Sequence, residues 1–245
     1  MVLKGTMKPT SLVITVFLFA LFTPLLAKEQ ETREYPSPKK FENAIKAFEK
    51  QDAKKAPPEN AIVCIGSSSM RMWKKDINED LGPLTLIPRG FGGSNMNDAL
   101  HYADRIVLNY KPRAILLYSC DNDVHQRVAH DTILAAFNSF VKKVHESLPE
   151  CRIYVIAVKP SIARWKIWPE MNAMNVSLAE ICKGHDLLTF IDIATPMLNE
   201  EGKPREEIFA KDRHHMNREG YLIWRDTIKP VLHKGELSHE SAHKK

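Results

Sequence analysis

The sequence predicts an α/β fold, a parallel five-stranded sheet with helices on both faces. Five short apolar runs, at 61–65, 84–88, 114–119, 152–158 and 188–192, recur between Ala61 and Leu232. Longer segments with helical apolar spacing lie between or after them. The runs are near-continuous rather than alternating, as expected of strands buried on both faces inside an α/β layer. At 245 residues, 44% hydrophobic and 27% charged, the chain can bury a sizeable core.

Taken in order, the chain begins with Lys4 and Lys8, an apolar run from Leu12 to Leu26, small Ala27 and then the charged stretch KEQETRE. A basic start, a short apolar centre and a small residue before a polar segment describe a secretory signal peptide over 1–27, cleaved after Ala27. The run is short for a membrane span of about 20 residues. No cysteine lies near the cleavage site, which argues against a lipoprotein. The expected location is therefore periplasmic or secreted, with no obligatory membrane contact after cleavage.

Residues 28–60 read as a linker and an N-terminal helix. Pro36 and Pro38 mark the polar linker over 28–38. Phe41, Ile45 and Phe48 recur at helical spacing, and APPEN, Ala56 to Asn60, stops that helix. The main domain spans 61–232. Within it Leu100, Ile106 and Val107 predict a helix near 97–109. The clearest helix carries Ile133, Leu134, Phe137, Phe140, Val141 and Val144 on one face. Tyr221, Trp224 and Ile228 predict a last helix near 217–231. The tail 233–245 is polar and is expected to be disordered.

Charge and cysteines narrow the function classes. The formal net charge is +5; removing residues 1–27 takes away two lysines and no acids, leaving +3. The basic residues are scattered, so no nucleic-acid partner is expected. Cys64 and Cys120 sit in or at the end of apolar runs, as buried thiols do, and Cys151 and Cys182 complete the four. No CxxC or Cys/His metal spacing appears, and disulfide pairing stays open.

Ligands of open α/β sheets bind beyond the carboxyl ends of the strands. Here those ends carry Gly66-Ser67-Ser68-Ser69, then RGFGGSN (Arg89 to Asn95), CDNDVH (Cys120 to His125), KPSIARW (Lys159 to Trp165) and, across a longer loop, KDRHHMNREGY (Lys211 to Tyr221). Acyl transfer needs a nucleophile, a base, a group that orients the base, and donors for an oxyanion. A serine between strand one and a helix can expose its Oγ, although Met70 breaks the Gly-x-Ser-x-Gly elbow. Asp212 and His215 are three residues apart, a spacing at which a carboxylate can hold an imidazole. His214, two residues from Asp212, is expected to point elsewhere. GFGG permits unusual backbone angles, Asn122 offers an amide donor, and Asp123 reads as a cap.

Two other function classes compete. Asp121, Asp123, His125, His185, His214 and His215 raise a metal-dependent phosphoesterase, although their spacing matches no metal template. Trp73, Trp165 and Trp168 raise a catalytically silent carbohydrate-binding protein.

The order and spacing of the blocks resemble the SGNH hydrolases, the GDSL-like lipase/acylhydrolase superfamily, over about residues 61–231. Ser68 in GSSS matches the nucleophile, Gly93 in GFGGS and Asn122 in CDND match oxyanion donors, and Asp212 and His215 in DRHH match the acid and base. Ser67 stands where many members have Asp, and Cys120 where a glycine often precedes the Asp-Asn-Asp run. The resemblance implies a three-layer α/β/α sandwich with strand order 2-1-3-4-5. It implies a serine esterase with a Ser68-His215-Asp212 triad, oxyanion donors on Ser68, Gly93 and Asn122, and neither metal nor organic cofactor. Short loops at most strand ends favour a small acyl group, such as acetyl on a carbohydrate. Arg164 and Trp165 are the candidate substrate-binding residues. The oligomeric state is not legible.

Overall fold

The computed structural model describes residues 1–2 and 32–240; apart from Met1 and Val2, the leader expected over 1–27 lies outside the described residues. In chain order the regular elements are α1 (Glu42–Lys54), β1 (Ile62–Gly66), α2 (Ser68–Trp73), α3 (Ile77–Asp80), β2 (Leu86–Gly90), α4 (Met96–His101), α5 (Ala103–Ile106), β3 (Ala114–Tyr118), α6 (Asp121–His125), α7 (His130–Ser147), β4 (Arg152–Ile156), α8 (Trp168–Lys183), β5 (Leu188–Ile191) and α9 (Arg218–Glu240). The strands form one parallel sheet in the order β2-β1-β3-β4-β5. Ile62 is in register with Leu86 on one side and Ala114 on the other.

The alternation hidden inside each apolar run sorts side chains between two cores. Val63, Ile65, Ile115 and Leu117 face a core completed by α1, α4, α5, α7 and α8. Ile62, Cys64, Leu116 and Tyr118 face a second core completed by α2, α3 and α9. Period-two side-chain direction thus turns continuous apolar runs into a three-layer sandwich. The helix α7 buries Ile133, Phe137, Phe140, Val141 and Val144 as its spacing predicts. All four cysteines are buried and free.

Three expectations differ from the structure. The helix expected near 97–109 is broken into α4, α5 and a 3-10 turn over Leu108–Tyr110. Asn95 starts α4 one residue earlier with a capping box to Asp98, and the Tyr102 backbone leaves the α region, which ends it. The expected linker 28–38 is docked where it is described: the Arg33 N–H donates to the Arg127 carbonyl, and the Tyr35 hydroxyl donates to Asp123 at 2.7 Å.

The tail is the largest difference. Residues 233–240 continue α9 rather than being disordered. Glu236 is fully buried, where it accepts hydrogen bonds from Arg113, Arg152 and the Tyr154 hydroxyl. Glu240 accepts from the Thr85 backbone and hydroxyl and pairs with Arg113. At Gly235 a Cβ would stand 2.1 Å from the Tyr154 hydroxyl, so only glycine lets the helix approach this closely. The polar tail is ordered over 233–240 because its acids meet Arg113, just before β3, and Arg152, at the start of β4.

Candidate active site

The first candidate residues stand where β1 gives way to α2. Ser68 opens α2 and is half-buried between buried Ser67 and Ser69. Tyr221 of α9 donates its hydroxyl to the Ser69 carbonyl at 2.8 Å, tying this turn to the last helix. The loop before α9 carries Asp212 and His215. Asp212 Oδ1 accepts the backbone N–H groups of His214 and His215, which folds the loop around its own carboxylate.

The other carboxylate oxygen, Oδ2, lies 2.5 Å from His215 Nδ1, and His215 Nε2 lies 2.8 Å from Ser68 Oγ. Partial burial pushes the Asp212 carboxyl upward, but the hydrogen bonds from His215 and the two backbone N–H groups outweigh it and hold the group well below the usual carboxylate range. An ionised carboxylate only accepts, so Nδ1 carries the imidazole proton. Nε2 therefore presents a lone pair to the serine hydroxyl. This arrangement can take a proton from Ser68 Oγ as that oxygen attacks a carbonyl.

Gly93 and Asn122 come from the loops after β2 and β3. Gly93 is exposed with φ +83°, in the left-handed region that favours glycine. Asn122 is buried near the start of α6 and donates Nδ2 to the Ser94 carbonyl at 2.9 Å. The two loops are locked further: the Asn95 amide donates to Gln126, and the Met96 N–H donates to Asp123 at 2.9 Å. An amide has two N–H bonds, so one remains on Asn122 for a further acceptor.

Asp123 is not a cap of its own helix. It is buried and receives Met96 and Tyr35 from distant segments, while its Oδ2 has no partner. Burial raises its carboxyl to about 7 despite those two hydrogen bonds. Cys120 has φ 74°, the left-handed conformation that suits glycine.

Arg164 is brought to Asn122 rather than left at the rim. Its Nη2 donates to Asn122 Oδ1 at 2.9 Å and its Nη1 to the Asp121 carbonyl at 3.0 Å. Trp165 stacks on Trp168 with ring centroids 5.8 Å apart. Trp73 is a core residue rather than a groove residue: it is fully buried, stacks on Tyr221 and donates to Asp80.

His214, expected to point away, packs its ring 4.8 Å from His215. Its Nδ1 meets Ser161 Oγ at 3.1 Å and Lys159 Nζ at 3.5 Å. Burial and the neighbouring Lys159 and Arg164 cations push its imidazole far below the ordinary value, so it is neutral. Burial also lowers the Lys159 ammonium to about 8. Sequence reasoning assigned no role to Lys159 or Ser161, for which the block KPS at the end of β4 was the available signal, and raised Asp121 only as a metal ligand. Among the described residues, no three His, Cys, Asp or Glu side chains converge in a way that would hold a metal ion.

Residues 64–223 match the GDSL-like lipase/acylhydrolase family. The fold is similar to a GDSL-like lipase from Bacteroides thetaiotaomicron, at 20% identity and TM-score 0.68, covering 78% of this chain and 98% of that one. It is also similar to an acetylxylan esterase from Geobacillus stearothermophilus, solved as a catalytic mutant, at 14% identity and TM-score 0.57, covering 71% and 94%. No curated protein matches the chain in sequence.

Proposed function

The chain belongs to the GDSL-like lipase/acylhydrolase family, whose members are serine ester hydrolases, and from that premise we propose that Ser68, His215 and Asp212 are its catalytic triad. The observation that carries this reading is the unbroken path from Asp212 Oδ2 through His215 to Ser68 Oγ, 2.5 and 2.8 Å long.

In the proposed reaction Ser68 Oγ attacks the ester carbonyl as its proton passes to His215 Nε2. The carbonyl π electrons move onto oxygen, and the resulting oxyanion receives the Ser68 and Gly93 N–H groups and the free N–H of Asn122 Nδ2. The carbon–oxygen bond to the alcohol then breaks, and His215 protonates the leaving alkoxide. Water, deprotonated by His215, attacks the acyl-enzyme and releases the acid and free Ser68.

The proposed substrate is a short-chain ester, such as acetyl on a carbohydrate. Short strand-end loops support it, and so does the fold similarity to an enzyme described as an acetylxylan esterase. The basic–apolar–small pattern of residues 1–27 supports export. Among the described residues no helix is long and apolar enough to cross a membrane.

Two measurements test the reading. Ser68→Ala should abolish hydrolysis of a short aryl ester with the fold intact by circular dichroism; full retained activity would refute the triad. A panel of esters varying acyl length and alcohol should favour acetyl; a preference for long chains would refute the small-acyl assignment.

A further inference from the structure

Arg164 sits in the loop between β4 and α8, yet its head group serves the loop after β3. Its backbone is held on both sides: the Arg164 N–H donates to the Ser161 carbonyl, and the Ala163 N–H donates to Arg213 in the loop that carries Asp212 and His215. The side chain is 12% exposed. One fork nitrogen donates to the Asp121 carbonyl at 3.0 Å and lies 3.4 Å from the buried Asp121 carboxylate. The other donates to Asn122 Oδ1 at 2.9 Å.

A guanidinium has five N–H donors and no acceptor. The amide atom facing it must therefore be the oxygen of Asn122. The opposite atom faces the Ser94 carbonyl, which only accepts, and so must be the nitrogen. These two partners choose the same orientation independently. Asn χ2 is a broad, roughly two-fold torsion without such partners, and rotation about it would offer an oxyanion a lone pair in place of a donor. The fork also spans the main chain of residue 121 and the side chain of residue 122. It thereby sets the amide relative to its own backbone, which a single ammonium cannot do. A hydrogen bond from a cation to Oδ1 draws electron density from the amide and makes its remaining N–H a better donor.

We propose that Arg164 is a positioning residue of the oxyanion hole. It orients and polarises the Asn122 amide and does not touch substrate. The proposal rests on the reading of Asn122 as an oxyanion donor. An interaction that matters only when the oxyanion forms changes kcat and leaves KM nearly unchanged.

The test measures kcat and KM on a short aryl ester for the wild type, Arg164→Met, Arg164→Lys, Asn122→Ala and the Asn122→Ala/Arg164→Met double variant, with Ser68→Ala as control. Loss of an oxyanion donor costs about 10²–10³-fold in kcat, which sets the expected size for Asn122→Ala and a ceiling for Arg164. Arg164→Met should lower kcat by about 10-fold or more with KM within about twofold. The double variant should match Asn122→Ala within about twofold, because Arg164 acts through that amide. Free guanidinium should restore activity to Arg164→Met and not to the double variant. If Arg164→Met fails to fold because Asp121 loses its counter-charge, Arg164→Lys keeps the charge, loses the fork and should show the same fall in kcat.

Unchanged kcat in a folded Arg164 variant would overturn the proposal, as would effects that multiply in the double variant. A rise in KM at constant kcat would make Arg164 a substrate contact instead. An inert Asn122→Ala would remove the donor on which the proposal depends. Full activity in Ser68→Ala would separately sink the triad reading.

Discussion

The two ends of the sheet both bury charge, and they treat it in opposite ways. At the amino end of β3 and β4, buried Glu236 is surrounded by Arg113, Arg152 and the Tyr154 hydroxyl, and Glu240 shares Arg113. Burial pushes the Glu236 carboxyl upward, yet those partners hold it below its ordinary value. At the carboxyl end the groups are only part-satisfied. Asp123 Oδ2 has no partner, and Lys159 reaches an imidazole at 3.5 Å rather than a carboxylate. Fully paired buried charge orients structure, whereas donors and acceptors left with spare capacity mark where a ligand completes the set. The contrast predicts that changes at one end cost stability and changes at the other cost activity.

His215→Ala should break the contrast most sharply if the contrast is wrong. It should lower kcat/KM by at least about 10⁴-fold with little change in melting temperature, since the His215 side chain is only half-buried and lies outside both apolar cores. A melting temperature that collapses with activity would erase the distinction. Glu236→Ala should do the reverse. It leaves Arg113 and Arg152 facing a vacated buried site and should destabilise by about 3–5 kcal/mol in urea denaturation. The kcat of the remaining folded protein should be unchanged.

Asp123 sharpens the comparison through pH. Its folded value, about 7, lies above its ordinary 3.8, so the fold binds this proton more tightly than the unfolded chain. Its contribution to stability is therefore full below 3.8 and is lost as pH rises through about 7. Relative to the wild type, Asp123→Asn should gain about 2–4 kcal/mol between pH 4 and pH 8, read from paired denaturation curves. A flat difference would show that Met96 and Tyr35 already satisfy the ionised carboxylate. The smallest effect is expected at Cys120. Cys120→Gly relieves the left-handed backbone but gives up side-chain burial and adds chain entropy, so stability should move by less than about 1 kcal/mol. A loss well beyond that would mean the Cys120 side chain packs more strongly than its small size indicates.

Much of this was legible before the structure. The apolar runs located the strands because a strand buried on both faces has nowhere to place a charge, and α7 was legible because its apolar residues keep to one face. Ser68, Asp212 and His215 were legible because local spacing and the order of the blocks carry them. Glu236 was not, because its partners lie 82 to 123 residues away. Arg164 was singled out from its loop, but the Asn122 and Asp121 partners of its fork were not legible, because they are chosen by which strand end lies beside β4.

The sequence by itself determined the layer architecture, the helix faces and the residue types available for acyl transfer, all of which follow from local periodicity and spacing. Only the tertiary structure decided which amide atom of Asn122 faces Arg164, that His214 is held neutral beside His215, and that residues 233–240 of the polar tail form a helix that buries Glu236. Those outcomes depend on desolvation and on hydrogen-bond partners between segments far apart in the chain, and neither is defined until the strands lie side by side.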